Sequence, residues 1–169
     1  MLTVLFSIGI LVWTVFLIDG LIGLRQIDAL ENAHELENGP LLSVIVAARN
    51  EENQIRDSIL SQLAQTYRNV EWILVNDRST DGTGLVMEEL KKDDQRISVL
   101  HIEGLPEGWL GKNNALYQGF LKASGKWLLF TDADVKFEKE AFAKALYYFE
   151  KHELDHLTVA PNLSAKKFW

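Results

Sequence analysis

Two aspartates, Asp132 and Asp134, stand one residue apart at the end of an apolar run. Carboxylates at positions i and i+2 repel each other, and a divalent cation would offset this repulsion because Mg²⁺ and Mn²⁺ prefer oxygen ligands. A polar turn that leads into the next helix would use the same residues, and about one D-x-D triplet is expected by chance in a chain of this composition. The triplet therefore indicates a metal site only if its structural context supports one.

The elements that position these aspartates are predicted from apolar runs that alternate with amphipathic helices. Helices are predicted in the four intervals between five apolar runs, which predict strands at 41–48, 70–75, 97–102, 126–131 and 157–160. This alternation predicts an α/β fold with a Rossmann-like, mostly parallel sheet. Ligands of such sheets bind beyond the carboxyl ends of the strands, which is where Asp132 and Asp134 fall.

Polar residues follow the other strands of this sheet and share the same predicted rim. Asp77 ends the second strand, where its carboxylate could accept a hydrogen bond from a base or a ribose, although an ordinary turn residue explains it equally well. Gly111 and Lys112 open a helix whose backbone N–H groups and ammonium suit a diphosphate, and a plain helix start is as good an explanation. Together with the two aspartates, these residues predict a site for a metal-bound nucleoside diphosphate.

Several other classes of protein are excluded by composition and by motif. The chain has 169 residues, which predicts one domain, and no cysteine, which excludes disulfides and thiolate metal sites. Its net charge of −7 and the lack of a basic cluster argue against a nucleic-acid partner. The turn after the first strand, "AARNEE", lacks the glycines of a dinucleotide-binding motif, and Gly111-Lys112 lacks the upstream glycine of a P-loop.

The N-terminal segment 2–24 is apolar throughout except for Asp19. As a helix it would be roughly 34 Å long, enough to cross a bilayer, so we predict one transmembrane helix there, with a buried core helix as the alternative. Residues 25–40 are predicted to be a polar juxtamembrane connector. Arg25 favours a cytoplasmic C-terminal side, which predicts a single-pass membrane protein whose main domain lies in the cytoplasm.

Four motifs, in this order and spacing, resemble the nucleotide-binding half of a family 2 glycosyltransferase with the GT-A fold: "SVIVAARNEE", "ILVNDRSTDGT", "GWLGKNNAL" and "LLFTDAD". The resemblance implies that 41–169 is a GT-A nucleotide-sugar-binding domain. It implies further that Asp134 binds the metal and that Asp132 binds the metal or the ribose. The remaining donor-site residues are Lys112, expected at the diphosphate, and those implied to contact base and ribose, which are Asp77 and the segment 47–51 with Ala47, Arg49 and Glu51.

The activity that the resemblance implies is inverting, metal-dependent transfer of a sugar from a nucleoside-diphosphate sugar, with UDP favoured over GDP and Mg²⁺ or Mn²⁺ as cofactor. The acceptor would be a hydroxyl or carboxyl of a membrane-associated lipid, since "LPEGWLGKNNAL" beside an N-terminal membrane helix is similar to the branch that glycosylates hopanoid, carotenoid or ceramide-like lipids. Three alternatives remain: a non-catalytic, membrane-anchored nucleotide-sugar-binding module, a protein like the sugar nucleotidylyltransferases, and a purely structural anchor.

The chain departs from the family pattern after the D-x-D. Members of the family carry a catalytic-base aspartate, often in an E-D pair, and some carry a Q-x-x-R-W motif, many residues further on. Neither is found before Trp169. We therefore expect the catalytic base beyond Trp169, a C-terminally incomplete domain, and no useful transfer activity from these residues alone.

Overall fold

The computed structural model describes residues 2–25, 30, 33–36 and 38–160. The chain divides into two compact units, Met1–Ala33 and His34–Trp169. The first unit contains one helix, and the second contains four strands and four helices among its described residues. In chain order the elements are α1 (Leu2–Arg25), β1 (Leu42–Ala48), α2 (Ile55–Leu63), β2 (Val70–Asp77), α3 (Thr83–Asp93), β3 (Ile97–Ile102), α4 (Gly111–Phe120), β4 (Trp127–Asp132) and α5 (Ala141–Lys151).

The four strands form one parallel sheet in the order β3-β2-β1-β4. The chain winds outward from β1 through β2 to β3 and then returns to the other side of β1 to form β4. The direction of winding therefore reverses between β1 and β4. In open α/β sheets the strand ends separate at such a reversal and leave a crevice at their carboxyl ends. The predicted α/β fold with a parallel sheet is confirmed for these four strands.

Helices cover both faces of the sheet, because alternate residues of the central strands point to opposite sides. Val44 and Val46 of β1 pack in the larger core with α2, α3 and α5, whereas Ile45 packs in a smaller core with Ala115 of α4. β1 is thus apolar on both faces, and five of its seven residues, Leu42–Val46, are buried without interruption. The helix α4, which connects β3 to β4, lies on the face opposite to α2 and α3, as right-handed crossovers require.

The helix α4 lies close against the sheet at Gly119. A Cβ atom added there would come within 2.5 Å of a methyl carbon of Ile45 and within 3.1 Å of one of Val75. A side chain at this position fits only if the side chain of Ile45 or the helix itself moves. The close approach sets the distance between the sheet and α4, whose first residues lie near the end of β2.

β4 forms one edge of the sheet as far as the structure describes it. Its side chains Leu128 and Phe130 remain 38% and 48% exposed, and the register places Phe130 beside Ile45. The prediction of a fifth strand at 157–160 is wrong, because these residues have no regular secondary structure. A short, mostly apolar run becomes a strand only when a neighbouring strand supplies hydrogen-bond partners, and no described strand does so here.

The predicted N-terminal helix is present as α1, and its described side chains at 6–7 and 9–22 are exposed. Within the described part of the chain, no helix meets the length and hydropathy needed to span a bilayer. The predicted transmembrane span at 2–24 is therefore not confirmed. Of the predicted connector at 25–40, residues 26–29, 31, 32 and 37 lie outside the described residues, as do 161–169 of the predicted domain.

A substitution at Gly119 tests the close approach of α4 to the sheet. Gly119→Val should lower the free energy of unfolding by about 1–3 kcal/mol, because the new side chain overpacks the contact with Ile45 and Val75. Urea unfolding measures the change. Gly104→Val is the control, since a Cβ at Gly104 meets no atom within 4 Å. Equal stability of the two variants would contradict the close packing.

Candidate functional site

A pocket of about 250 Å³ opens at the carboxyl ends of β1, β2 and β4, at the reversal in winding. Ala47 of β1 and Asp132 of β4 are neighbours in the strand register, so the ends of these two strands form its floor. The turn after β1, the last residue of β2, the first turn of α4 and the turn after β4 supply its walls. The full lining is Ala47, Ala48, Arg49, Glu51, Asp77, Lys112, Asp132, Ala133 and Asp134.

Every residue that the sequence assigned to the donor or metal site lies on this one pocket. The seven predicted residues come from four separate stretches of the chain, and the sheet brings them together because parallel strands end at a common edge. Ala48, which lies within the segment 47–51 implied to contact the base and ribose, and Ala133, which was not predicted, complete the lining. The placement is a property of the structure, whereas the contacts that each residue makes with a ligand remain predictions.

One side of the pocket carries an exposed ion pair. The Lys112 ammonium donates to Oδ1 of Asp132 at 2.6 Å, and the two side chains are 60% and 54% exposed. Such a pair contributes about 0–1 kcal/mol in water, so either partner can exchange it for a ligand at little cost. The exposed carboxylate of Asp134 makes no hydrogen bond or ion pair within the described chain.

These two carboxylates are candidate ligands for a divalent cation. Among the residues that the structure describes, no three His, Cys, Asp or Glu side chains converge as a complete metal site. A cation that keeps water and phosphate oxygens as its other ligands needs only one or two protein carboxylates, which is the usual arrangement for Mg²⁺ bound with a phosphorylated substrate. Asp132 and Asp134 fit that kind of site by their chemistry, and their exposure leaves the remaining ligand positions open.

The other side of the pocket carries an ion pair whose carboxylate is buried and whose guanidinium is partly exposed. Asp77 is 4% exposed, and the guanidinium of Arg78 donates to both of its oxygens, from Nε to Oδ1 at 2.7 Å and from Nη2 to Oδ2 at 3.1 Å. The hydrogen bonds to Asp77 raise the pKa of Arg78 above its usual value, so the guanidinium stays charged. Two-pronged pairs of this kind fix the orientation of the carboxylate as well as its charge.

The turn after β1 and the turn after β2 are tied together by hydrogen bonds. Asn50 has a left-handed backbone, with φ of 59°, and its side-chain Oδ1 accepts from the backbone N–H of Thr80 at 2.8 Å. The backbone N–H of Asn50 in turn donates to Oγ of Ser79 at 3.1 Å. One asparagine therefore connects both turns. Asparagine suits this position because it is among the residues that adopt positive φ most readily.

Further hydrogen bonds extend this connection toward α3. The backbone N–H of Glu51 donates to Oγ1 of Thr83 at 2.8 Å, and the carboxylate of Glu52 accepts from the backbone N–H of Gly82 at 3.0 Å. The Thr83 hydroxyl also donates to Asp81, and this hydrogen bond lowers the pKa of the Asp81 carboxyl. The two turns thus hold Glu51 and Asp77 at a fixed separation across the pocket.

Sequence reasoning missed the roles of two residues that shape the site: Asn50, which lies within the segment 47–51 implied to contact base and ribose, and Arg78. Both adopt positive φ, at 59° and 55°, and this backbone conformation is what directs their side chains onto a neighbouring turn or carboxylate. "RNEE" and "NDRS" carry no periodicity that would predict it. Asparagine after a buried strand was the available signal for a left-handed residue, and Arg78 offered none.

The family model "Glycosyl transferase family 2" matches residues 43–165. The chain therefore belongs to glycosyl transferase family 2. Over 123 residues it is 42% identical to an uncharacterized glycosyltransferase of Haemophilus influenzae, a match that covers 73% of this chain and 36% of that protein. Over 135 residues it is 33% identical to the 4,4'-diaponeurosporenoate glycosyltransferase of Staphylococcus aureus, covering 78% and 34%. The chain spans about a third of the length of these relatives.

Two solved structures share the GT-A-like fold. The mannosyltransferase PcManGT of Pyrobaculum calidifontis, solved with GDP-Man and Mn²⁺, matches with a TM-score of 0.60 at 22% identity, over 70% of this chain and 35% of that one. This likeness establishes the fold alone. Residues 1–349 of S. aureus TarS, solved with UDP-GlcNAc, match with a TM-score of 0.55 at 27% identity, over 72% and 37%.

The tie between the two turns predicts the behaviour of one backbone amide. Asn50→Gly keeps the left-handed backbone but removes the acceptor for the Thr80 N–H, so exchange of this amide hydrogen with solvent should accelerate by about tenfold or more. Hydrogen exchange followed by NMR measures it. Asn53→Gly is the matched control, because Asn53 is exposed and lies outside this set of hydrogen bonds. An unchanged rate in Asn50→Gly would show that the bond does not order the turn.

Proposed function

We propose that the protein is a glycosyltransferase that takes a sugar from a nucleoside-diphosphate sugar, with UDP as the nucleotide. The observation that carries the proposal is the single pocket at the reversal of the sheet, which gathers all seven predicted donor-site residues in a member of family 2. The likeness to TarS, which was solved with UDP-GlcNAc, supports the choice of nucleotide.

The nucleoside half of the donor lies on the buried side of the pocket. Asp77 accepts a hydrogen bond from the base, and the turn that contains Ala47, Arg49 and Glu51 contacts the base and ribose. A carboxylate with an immobile orientation suits this role, because a base is recognised by the direction of its N–H groups as well as by their presence. The hydrogen bonds between the two turns support the assignment by holding the contacts in place before the donor arrives.

The diphosphate lies on the exposed side of the pocket, at the start of α4. The first N–H groups of a helix have no partner within the helix, and no side chain caps the start of α4. These N–H groups and the Lys112 ammonium meet phosphate oxygens, and Lys112 releases Asp132 to do so. Asp132 and Asp134 would hold Mg²⁺ or Mn²⁺ there. When bound, the cation neutralises the charge of the departing diphosphate.

The sugar passes to an acceptor on a membrane lipid by a single displacement with inversion. An apolar acceptor is supported by the relative that acts on 4,4'-diaponeurosporenoate. In this proposal the protein works at a membrane, α1 attaches it there, and the unit that binds the nucleotide sugar faces the cytoplasm. The exposed apolar side chains of α1, among them Trp13 and Phe16 at 76% and 67%, support this attachment.

Calorimetric titration with UDP tests the donor site and its metal. Binding should be at least about tenfold weaker with a chelator than with Mn²⁺, which corresponds to the loss of one contact between charged groups. Asp132→Asn and Asp134→Asn should each remove most of the metal-dependent part. Asp93→Asn is the matched control, since Asp93 is exposed at the end of α3 and far along the chain from the pocket lining.

Each result of this titration separates the proposal from an alternative. Equal affinity with and without metal would exclude a metal-held diphosphate. If the natural full-length protein binds UDP in a metal-dependent way but never transfers sugar, the result would favour a non-catalytic binding module. Loss of binding in Asp93→Asn as well would show that the substitutions act by unfolding the domain.

Extraction of membranes with carbonate tests the attachment through α1. The protein should stay in the membrane fraction, and a variant that begins at Asn38 should leave it, because burial of the exposed apolar side chains in lipid is worth roughly 25 cal/mol per Å². Trp13→Lys with Phe16→Lys should weaken the retention. Leu85→Lys is the control, since Leu85 is equally exposed, at 73%, but belongs to α3. Release of the unaltered protein by carbonate would contradict the attachment.

A further inference from the structure

The pair formed by Asp77 and Arg78 constrains what the pocket accepts from a base. The guanidinium of Arg78 donates to both oxygens of the carboxylate at once, from Nε to Oδ1 at 2.7 Å and from Nη2 to Oδ2 at 3.1 Å. An ionised carboxylate has about four lone-pair positions, and two of them converge on the edge where both oxygens can be reached together. Arg78 occupies that edge. The two positions that remain point away from each other.

The pair is held in place from several directions. Arg78 keeps a left-handed backbone with φ of 55°, a conformation that an arginine retains only where its surroundings impose it. Gly111, the first residue of α4, lies against the pair, because a Cβ added there would come within 2.5 Å of Nη2 of Arg78 and 2.8 Å of Oδ2 of Asp77. The side chains of Arg78 and Asp77 are 21% and 6% exposed. The first residue of α4 therefore packs directly against the guanidinium and the carboxylate, on the side where the two groups meet.

The bases of the common nucleotide donors differ in the number of N–H groups on their pairing edge. Guanine presents a ring N–H beside an exocyclic amino group, and a carboxylate satisfies both when its two oxygens are free on one edge. Uracil presents a single ring N–H between two carbonyl groups. A carboxylate with its shared edge occupied can accept one N–H from a base but not two parallel ones. An N–H left without a partner in a buried site carries a desolvation cost.

We propose that Arg78 is a specificity-determining residue of the donor site, which selects a uracil nucleotide over a guanine nucleotide by occupying the shared edge of the Asp77 carboxylate. It acts through Asp77 and does not itself line the pocket. The inference rests on the proposed function in one respect, the assignment of the base to Asp77. It goes beyond that function by naming the residue and the interaction that set the choice of base.

The ratio of the affinities for UDP and GDP tests the role of Arg78. The two nucleotides share their diphosphate and ribose, so the contributions of the metal, of Lys112 and of α4 cancel in the ratio. Calorimetry on the purified protein at fixed Mn²⁺ should give tighter binding of UDP than of GDP by about tenfold or more. In Arg78→Leu, which frees both oxygens of Asp77, the ratio should fall by about tenfold.

A matched control exists in the same chain. Arg96 holds Asp94 by the same two-pronged contact, from Nε at 3.0 Å and Nη2 at 2.7 Å, away from the pocket lining. Arg96→Leu therefore makes the same chemical change, and the ratio should stay at the wild-type value. Arg78→Lys should give an intermediate ratio, because an ammonium contacts one oxygen at a time, and it also serves if Arg78→Leu does not fold.

The outcomes distinguish this inference from the function on which it rests. A wild-type protein that binds neither nucleotide overturns the proposed function and the inference with it. A wild-type protein that binds UDP and GDP equally, or an Arg78 variant that is folded by thermal melting and keeps the wild-type ratio, overturns the inference alone. A ratio that falls equally in Arg96→Leu would assign the effect to general loosening of the domain and would also overturn it.

Discussion

The double burial of β1 is the constraint on which the rest of the structure depends. This strand pairs with β2 on one side and β4 on the other, and helices cover both of its faces. A strand in that position is mostly apolar and carries a polar side chain only where a partner satisfies it, as Glu71 does for Ser43, or where the strand leaves the sheet. Because the chain reverses its winding at this same strand, the polar residues emerge beside a crevice. Core packing and the location of the site thus follow from one pairing arrangement.

The two sides of the pocket differ in how firmly they are held. Asp77 is buried and accepts two hydrogen bonds from Arg78, whereas Asp132 and Lys112 form an ion pair that is exposed to water. A buried pair is costly to break, and an exposed pair is exchanged with little change in free energy. One side is therefore rigid before a ligand arrives, and the other rearranges around it. This division suits a ligand with one shape-specific part and one highly charged part.

The sequence predicted the elements whose apolar pattern follows from burial and missed features that depend on tertiary contacts. β1, β2 and the pocket lining were predicted because continuous apolar runs and the carboxyl-end rule are local signals. The helix predicted between the first two strands begins only at Ile55, since residues 50–52 hydrogen-bond to the turn after β2 instead of entering the helix. The left-handed backbone of Arg78 and the missing partner for 157–160 likewise depend on neighbours distant in the chain.

The open edge at β4 has a consequence for handling the protein in the laboratory. Its outer backbone N–H and C=O groups have no partner strand within the described chain, and Leu128 and Phe130 present apolar surface beside them. A flat, partly apolar edge is a template on which a strand of another chain can add, and natural sheets usually protect it with charges, bulges or covering elements. In a preparation of these residues alone, self-association should therefore begin at this edge, so the yield of dispersed protein will fall steeply as its concentration rises.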